Sequence, residues 1–179
     1  MSPYKAKIME EEVSFLLKNG LAELSESEWA SPCALVPKSK GWRMVTDYRR
    51  INELTKGDCY PLPRILDIID AIGESKFITV IDLLKGYYQV PLSPEAKQIT
   101  AFVTPNGLYN YCVLPFGLKN APSSFQRLTG SIIRDLKGVK VYIDDLVVYS
   151  RNWEDHVATL RSLFEGLQDA GLTVNLVKS

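Results

Sequence analysis

Two aspartates, Asp144 and Asp145, stand side by side in the run VYIDDLVVYS, where every neighbour but the final serine is apolar or aromatic. Like charges repel, and burying either one unpaired is costly. The pair reads in one of two ways: a solvated acidic turn between strands, or a seat for a cation. As a hairpin loop Asp-Asp is mediocre, because two-residue turns prefer Asn-Gly or Asp-Gly. As a seat it offers hard oxygen ligands suited to Mg²⁺, which takes one or two carboxylates and leaves other positions to water and phosphate. A further carboxylate is available in Asp82, which follows the apolar run Phe77–Ile81 and so emerges at a strand's end. Alone, Asp82 reads as a strand-end or helix N-cap residue. Together the two acid sites fit phosphoryl transfer with paired cations, which activate the attacking oxygen and stabilise the leaving one.

The remaining candidates are less specific. The stretch from Lys38 to Arg50 carries Lys38, Lys40, Arg43, Arg49 and Arg50 against only Asp47. Arg43 with Lys38 or Lys40 could clamp a triphosphate, Arg bidentately; a solvated charged hairpin has the same composition. Tyr87 and Tyr88 follow Asp82 closely and read either as core packing or as rings set against a sugar. The segment LPFGLKNAPSSFQR is a Pro/Gly-punctuated helix entry. His156, the single histidine, lies among polar neighbours on a predicted helix and reads as a surface residue. Neither a GxSxG elbow, a P-loop nor a GxGxxG turn occurs, so serine hydrolase and nucleotide-cradle readings lack support.

The elements that must position these residues follow from periodicity and punctuation. A helix is predicted over Tyr4–Lys18, stopped by Asn19-Gly20. Pro32 and Pro37 keep Trp29–Pro37 extended, and with Trp42–Thr46 it makes a hairpin with a basic tip. Residues 58–64 read as a linker, Ile65–Ile72 as a short helix, Phe77–Ile81 as a buried strand, and Gly86–Gln89 as a tight turn. Strands Thr100–Val103 and Leu108–Leu114 flank the turn signal Pro105-Asn106-Gly107. Asn120 can cap a helix running to about Leu136, with Pro122 in its first turn. Strands Val139–Ile143 and Leu146–Ser150 bracket the Asp pair. A helix from Trp153 to Ala170 and a final strand, Leu172–Leu176, close the chain. This order suits an α+β layer: an antiparallel-rich sheet backed by helices.

Bulk properties narrow the class. The 179 residues fit one domain, or a domain with a lobe, and are enough to bury a real core. With 46% apolar residues, disorder is excluded. Lys and Arg balance Asp and Glu at 21 each, so any polyanion-binding surface must be a local basic face. No apolar run is long enough to span a bilayer, and the start MSPYKAKIMEEEV does not read as a secretory signal. Cys33, Cys59 and Cys112 are too scattered for a disulfide framework or a zinc site. A reducing, intracellular setting follows.

WRMVTDYRRIN, YPLPRI, VIDLLKGYYQVPL, TAFVTP, LPFGLKNAPSSFQRL, VYIDDLVVYS and LTVNLVKS occur in the order seen in reverse transcriptases. From about Lys5 to its end the chain resembles gypsy-type long-terminal-repeat retrotransposon and retroviral enzymes. It departs from them in a slightly shorter fingers turn, VPKSKGW, and in Phe116, where some retroviral enzymes carry glutamine.

The resemblance implies a right-hand polymerase, with residues 1–76 mainly fingers and 77–179 mainly palm, the fingers returning within about 92–115. Thumb, connection and RNase H parts have no counterpart in this sequence. The implied activity is RNA-directed DNA polymerisation, transferring nucleotides from dNTPs to a primer 3′-hydroxyl. Asp82, Asp144 and Asp145 would be the catalytic carboxylates holding two Mg²⁺ ions, with Mn²⁺ as a substitute. Arg43 would meet the incoming triphosphate with Lys38, Lys40 being the competing assignment. Tyr87 would exclude a 2′-hydroxyl, Phe116 and Gly117 would floor the dNTP pocket, and Asp47 and Arg49 would face the template. Partners would be an RNA or DNA template with its primer, without a membrane, and the rest of a Pol polyprotein if the chain is a fragment. The setting would be cytoplasmic, with virus-like particles one possibility. A non-catalytic nucleic-acid-binding or interaction module derived from such an element is the alternative; a metal nuclease would leave Tyr87 and the basic hairpin without a role.

Overall fold

The computed structural model describes residues 2–39 and 41–179. Its elements run α1 (Pro3–Lys18), β1 (Ala22–Leu24), β2 (Ser31–Lys38), β3 (Gly41–Thr46), α2 (Arg49–Leu54), α3 (Ile65–Ile72), β4 (Phe77–Asp82), a 3₁₀ turn (Gly86–Gln89), α4 (Pro94–Ile99), β5 (Phe102–Thr104), β6 (Gly107–Tyr111), α5 (Ala121–Ile133), β7 (Val139–Tyr142), β8 (Asp145–Ser150) and α6 (Trp153–Asp169). They form two compact units. One comprises Met1–Gly57 with Val90–Ala121, the other Asp58–Gln89 with Pro122–Ser179.

In the first unit α1 starts where Ser2 accepts from the Lys5 N–H and Pro3 opens the helix. Met9, Val13 and Leu16 form its buried stripe at helical spacing. The sheet has the order β1-β6-β5-β2-β3, antiparallel throughout except that β2 and β5 run parallel. Phe102 packs between Tyr109 and Tyr111, with ring centroids 5.6 and 4.7 Å away. The buried Tyr48 donates its hydroxyl to the Thr100 carbonyl at 2.9 Å. Sequence periodicity missed three short elements here. β1, only Ala-Glu-Leu, is made a strand by pairing with β6. α2 has six residues, too few for a periodic pattern to emerge. α4 was signalled by Ser93, Pro94 and Glu95, an N-cap, a first-turn proline and a first-turn acid.

In the second unit β4-β8-β7 is fully antiparallel. Ile81, Leu146, Val148, Val139 and Val141 are buried, whereas Ile78 and Val80 are exposed. The alternation gives the sheet one covered face. α6 lies on that face and buries His156, Leu163 and Leu167. His156 is therefore not the surface residue its neighbours suggested. Its Nε2 lies 2.8 Å from Thr79 Oγ1 and its Nδ1 3.0 Å from Ser150 Oγ. Ser150 Oγ donates to the Asn152 carbonyl, so it accepts from His156, and the ring carries its proton on Nδ1. The missed signal was spacing: His156 precedes Leu163 and Leu167 by seven and eleven positions, two and three helical turns.

Two further expectations are corrected. α5 ends at Ile133, three residues before Leu136, and Leu172–Leu176 is irregular, not a strand: only Val174 bridges, to Leu83. Among the described residues no helix is long and apolar enough to cross a membrane.

Candidate active site

The register of β4 against β8 sets Asp82 directly opposite Asp145. Each lies one position from a buried neighbour, Ile81 and Leu146, and so projects from the open face of the sheet. β7 pairs Tyr142 with Asp145, which leaves Ile143 and Asp144 as the two-residue turn. Asp145 thus begins a strand, one residue before the start expected from sequence. Ile143 has φ +56°, an unusual conformation for a β-branched residue. Two hydrogen bonds reach this turn: Gln126 Oε1 accepts from the Ile143 N–H at 2.8 Å, and the Leu83 N–H donates to the Asp144 carbonyl at 3.1 Å.

Asp144 is the strained charge of the group. Its Oδ1 is buried without a hydrogen-bond partner among the described residues. Burial first, then the charges of Asp145 and Asp82, push its carboxyl above the usual carboxylate range, while Lys178 pulls the other way. Asp82 is better supplied: Asn175 Nδ2 donates to its Oδ1 at 3.1 Å, and Lys178 Nζ stands 3.9 Å from its Oδ2. The last residues fold back here, with the Asp82 N–H donating to Ser179 Oγ at 3.1 Å. An orphaned buried carboxylate oxygen amid two further carboxylates is a site that calls for a cation. Among the described residues no group of three or more His, Cys, Asp or Glu side chains is arranged to hold a metal ion, so protein carboxylates can supply only part of a coordination shell here. Such a donor set suits Mg²⁺ bound partly by substrate phosphate and water.

Behind the turn, Tyr87 is buried and meets Phe125 edge-on at 5.3 Å. Burial and the nearby Asp144 charge push its hydroxyl up to about 12. Gly86 lies so near that a Cβ on it would stand 2.7 Å from Asp144 Oδ1 and 2.9 Å from Phe125 Cζ. The absence of a side chain there makes the room that Asp144 occupies. Gln126 and Gly86 were not singled out in sequence, where one is an unremarked helix residue and the other an ordinary turn glycine.

The basic hairpin belongs to the first unit. β2 pairs Val36 with Arg43 and Lys38 with Gly41. Residues two apart share a face, so Lys38 and Arg43 project from the same side of the hairpin, both exposed. Lys40 lies outside the described residues. Asp47 and Arg49 grip each other, with Arg49 Nη2 2.6 Å from Asp47 Oδ2. The Arg49 hydrogen bonds hold the Asp47 carboxyl down to about 2. With Trp29, Ile51 and Leu54 they line a cleft of about 800 Å³. Phe116 is half exposed, and Gly117 takes φ +97°, which glycine alone adopts easily. Asn52 fastens this loop, donating to the Gly117 carbonyl and accepting from the Lys119 N–H, each at 2.8 Å.

The family model for "Reverse transcriptase (RNA-dependent DNA polymerase)" matches residues 36–179. The chain is 40% identical over 179 residues to the retrovirus-related Pol polyprotein from transposon opus of Drosophila melanogaster, covering 96% of the chain and 18% of that protein. It is 38% identical over 178 residues to that from transposon 297 of the same organism, covering 95% and 17%. The chain thus spans under a fifth of these relatives' length. Among solved structures it is similar to the foamy viral protease-reverse transcriptase in complex with RNA/DNA hybrid, at TM-score 0.92 and 28% identity, covering 99% of the chain and 24% of the other. The native prototype foamy virus protease-reverse transcriptase gives TM-score 0.86 at 31% identity, with 97% and 24% covered.

Proposed function

The chain belongs to the reverse transcriptase family, and from that premise we propose that it synthesises DNA on an RNA template, joining dNTPs to a primer 3′-hydroxyl. The observation that carries this reading is the cross-strand pair Asp82–Asp145 beside Asp144 at the adjoining turn, whose Oδ1 is buried and has no hydrogen-bond partner among the described residues. In this reading these three carboxylates hold two divalent ions, Mg²⁺ or Mn²⁺. When bound, the ions supply activation of the attacking hydroxyl and stabilisation of the leaving pyrophosphate. The chain's own residues hold the carboxylates at fixed points on a rigid sheet, and catalysis rests on that positioning.

We assign the first unit to the fingers and the second to the palm, which gives residues 58–76 to the palm and lengthens the fingers' return to 90–121. Arg43 and Lys38, on one face of their hairpin, take the triphosphate. Phe116 and Gly117 floor the nucleotide pocket, and the rigid Tyr87 ring bars a 2′-hydroxyl. The cleft lined by Trp29, Asp47 and Arg49 suits a single-stranded template, since an indole can stack on a base of any sequence. The duplex partner is an RNA/DNA hybrid or double-stranded DNA, as in the complexes of the foamy viral enzymes. Binding should weaken steeply with salt. Three free cysteines suit a reducing, cytoplasmic setting.

The test is primer extension on an RNA template with dNTPs and Mg²⁺, beside Asp144→Asn. Extension by the wild type and its loss in the variant support the proposal. Hybrid binding by the wild type without extension would leave this chain a binding module and end the enzymatic reading.

A further inference from the structure

We propose that Gln126 is a positioning residue for the carboxylate site, clamping the turn that carries Asp144. This rests on the reading of Asp144 as a metal-holding carboxylate.

The turn has a problem of its own. Ile143 sits at φ +56°, a region where a β-branched side chain is disfavoured. Left to itself, a two-residue loop of Ile-Asp would relax to another backbone conformation, and Asp144 would move with it. Asp144 Oδ1 has no partner to hold it. The backbone of the turn therefore sets where the carboxylate is presented.

Gln126 supplies the constraint. Its side chain, on α5, is buried at 5% exposure. Oε1 accepts from the Ile143 N–H at 2.8 Å, and Nε2 donates to the Val141 carbonyl at 3.3 Å. One planar amide thus spans the end of β7 and the first residue of the turn. It satisfies a turn N–H that the β7–β8 ladder does not use. On the other side the Leu83 N–H holds the Asp144 carbonyl at 3.1 Å, tying the turn to the residue after Asp82. Ile143 and Asp144 are braced from both flanks, and the strained φ is over-determined by its surroundings. Strained backbone persists under such a constraint and tends to gather at functional sites. A buried amide held in one rotamer by two backbone groups is also a rigid support, as accurate placement of reacting groups requires.

The test compares wild type, Gln126→Met and Gln126→Glu in the whole chain. Methionine fills the volume without a strong acceptor; glutamate keeps an acceptor for the Ile143 N–H. Three measurements are made: amide hydrogen exchange by NMR, Mn²⁺ affinity by titration, and steady-state primer extension. In the wild type the Ile143 amide should be protected although it lies in a turn. In Gln126→Met its exchange should quicken at least ten-fold while the Leu146 and Val148 amides stay as they were. Mn²⁺ affinity should fall several-fold, and kcat about 100-fold, the order of loss that a small misplacement causes. The KM for dNTP should change less than three-fold. Gln126→Glu should recover the Ile143 protection and most of the Mn²⁺ affinity.

An unprotected Ile143 amide in the wild type overturns the proposal before any variant is made. Unchanged Mn²⁺ affinity in a folded Gln126→Met overturns it as well. If the wild type extends no primer, the polymerase reading of this chain fails, while exchange and Mn²⁺ binding still decide the role of Gln126.

Discussion

Asp82 and Asp145 face each other as a cross-strand pair on β4 and β8, two acids where a sheet ordinarily sets opposite charges or apolar side chains. Asp144 joins them from the turn with one oxygen buried and unpartnered. In the absence of a cation this arrangement works against the fold, and that has measurable consequences.

Asp144→Asn should raise the melting temperature by a few degrees without divalent ions while abolishing extension. The pH dependence follows from the raised carboxyl of Asp144. The folded protein holds this proton more tightly than the unfolded chain, so the stability linked to it is full below pH 4. It is lost as pH rises through the higher folded value. Wild type minus Asp144→Asn, followed by thermal melts from pH 4 to 8 in EDTA, should show that decline. Mg²⁺ should stabilise the wild type and leave the variant unmoved, since a ligand stabilises only the state that binds it. Identical melting curves for the two proteins at every pH would contradict the electrostatic account.

Arg43→Ala should raise the KM for dNTP about ten-fold or more, the scale of a lost charge-assisted pair. Arg43→Lys should recover only part of this, because a lysine cannot offer the two-pronged donor. Lys38 shares the face of Arg43, so Lys38→Ala should raise the KM for dNTP as well. Steady-state kinetics on a fixed primer–template decide both points; an Arg43 effect seen in kcat alone would remove it from triphosphate binding.

The parts of the molecule that could be read from sequence are those in which pattern and structure share a period. The β2–β3 hairpin, β4, the Gly86–Gln89 turn and the helices α1, α3 and α6 were marked by prolines, glycines or apolar spacing. β1 and α2 were not, because three and six residues are too short to display a period, and β1 owes its conformation to its pairing with β6. The carboxylates could be picked out because adjacent acids in an apolar run conflict with burial. What holds them could not. Gln126 acts through a pair of hydrogen bonds to backbone far along the chain, and Gly86 through empty space. Such contacts leave no local imprint on composition. His156 shows a related effect: its neighbours in sequence are polar, and only its register with Leu163 and Leu167 marks it as buried.

His156→Ala should cost about 2–4 kcal/mol of stability, combining an unfilled cavity with two lost hydrogen bonds. The ring is 2% exposed and bonds Thr79 on β4 and Ser150 on β8. Both hydroxyls would lose a buried partner. Urea denaturation should show the midpoint falling with an unchanged slope. A cost under about 0.5 kcal/mol, the range of ordinary surface changes, would return His156 to the surface role that its neighbours suggest.

Tyr87→Ala should admit ribonucleotides. The Tyr87 ring is buried against Phe125 in an edge-on contact, which makes it a stiff wall. Tyr87→Phe keeps the wall and should keep the preference for dNTPs, so the discrimination is steric and owes nothing to the hydroxyl. The ratio of kcat/KM for dCTP and CTP measures it in all three proteins. An active Tyr87→Ala with the wild-type ratio would take Tyr87 out of sugar selection.

Gly86→Ala separates placement of the site from stability of the fold. The new Cβ would stand 2.7 Å from Asp144 Oδ1 and 2.9 Å from Phe125 Cζ, both closer than real contacts allow. The obstructing atoms are the far ends of side chains, so the carboxylate and the ring can move aside and the backbone can stay. Gly86 also has an ordinary negative φ, and alanine brings no backbone strain there. The melting temperature should therefore change by only a few degrees. The Asp144 carboxylate, however, loses the space in which it sits, and kcat should fall about 100-fold with weakened Mn²⁺ binding. The larger Gly86→Val should deepen the loss. Full activity in Gly86→Ala would mean that Asp144 works from a position other than the one seen here.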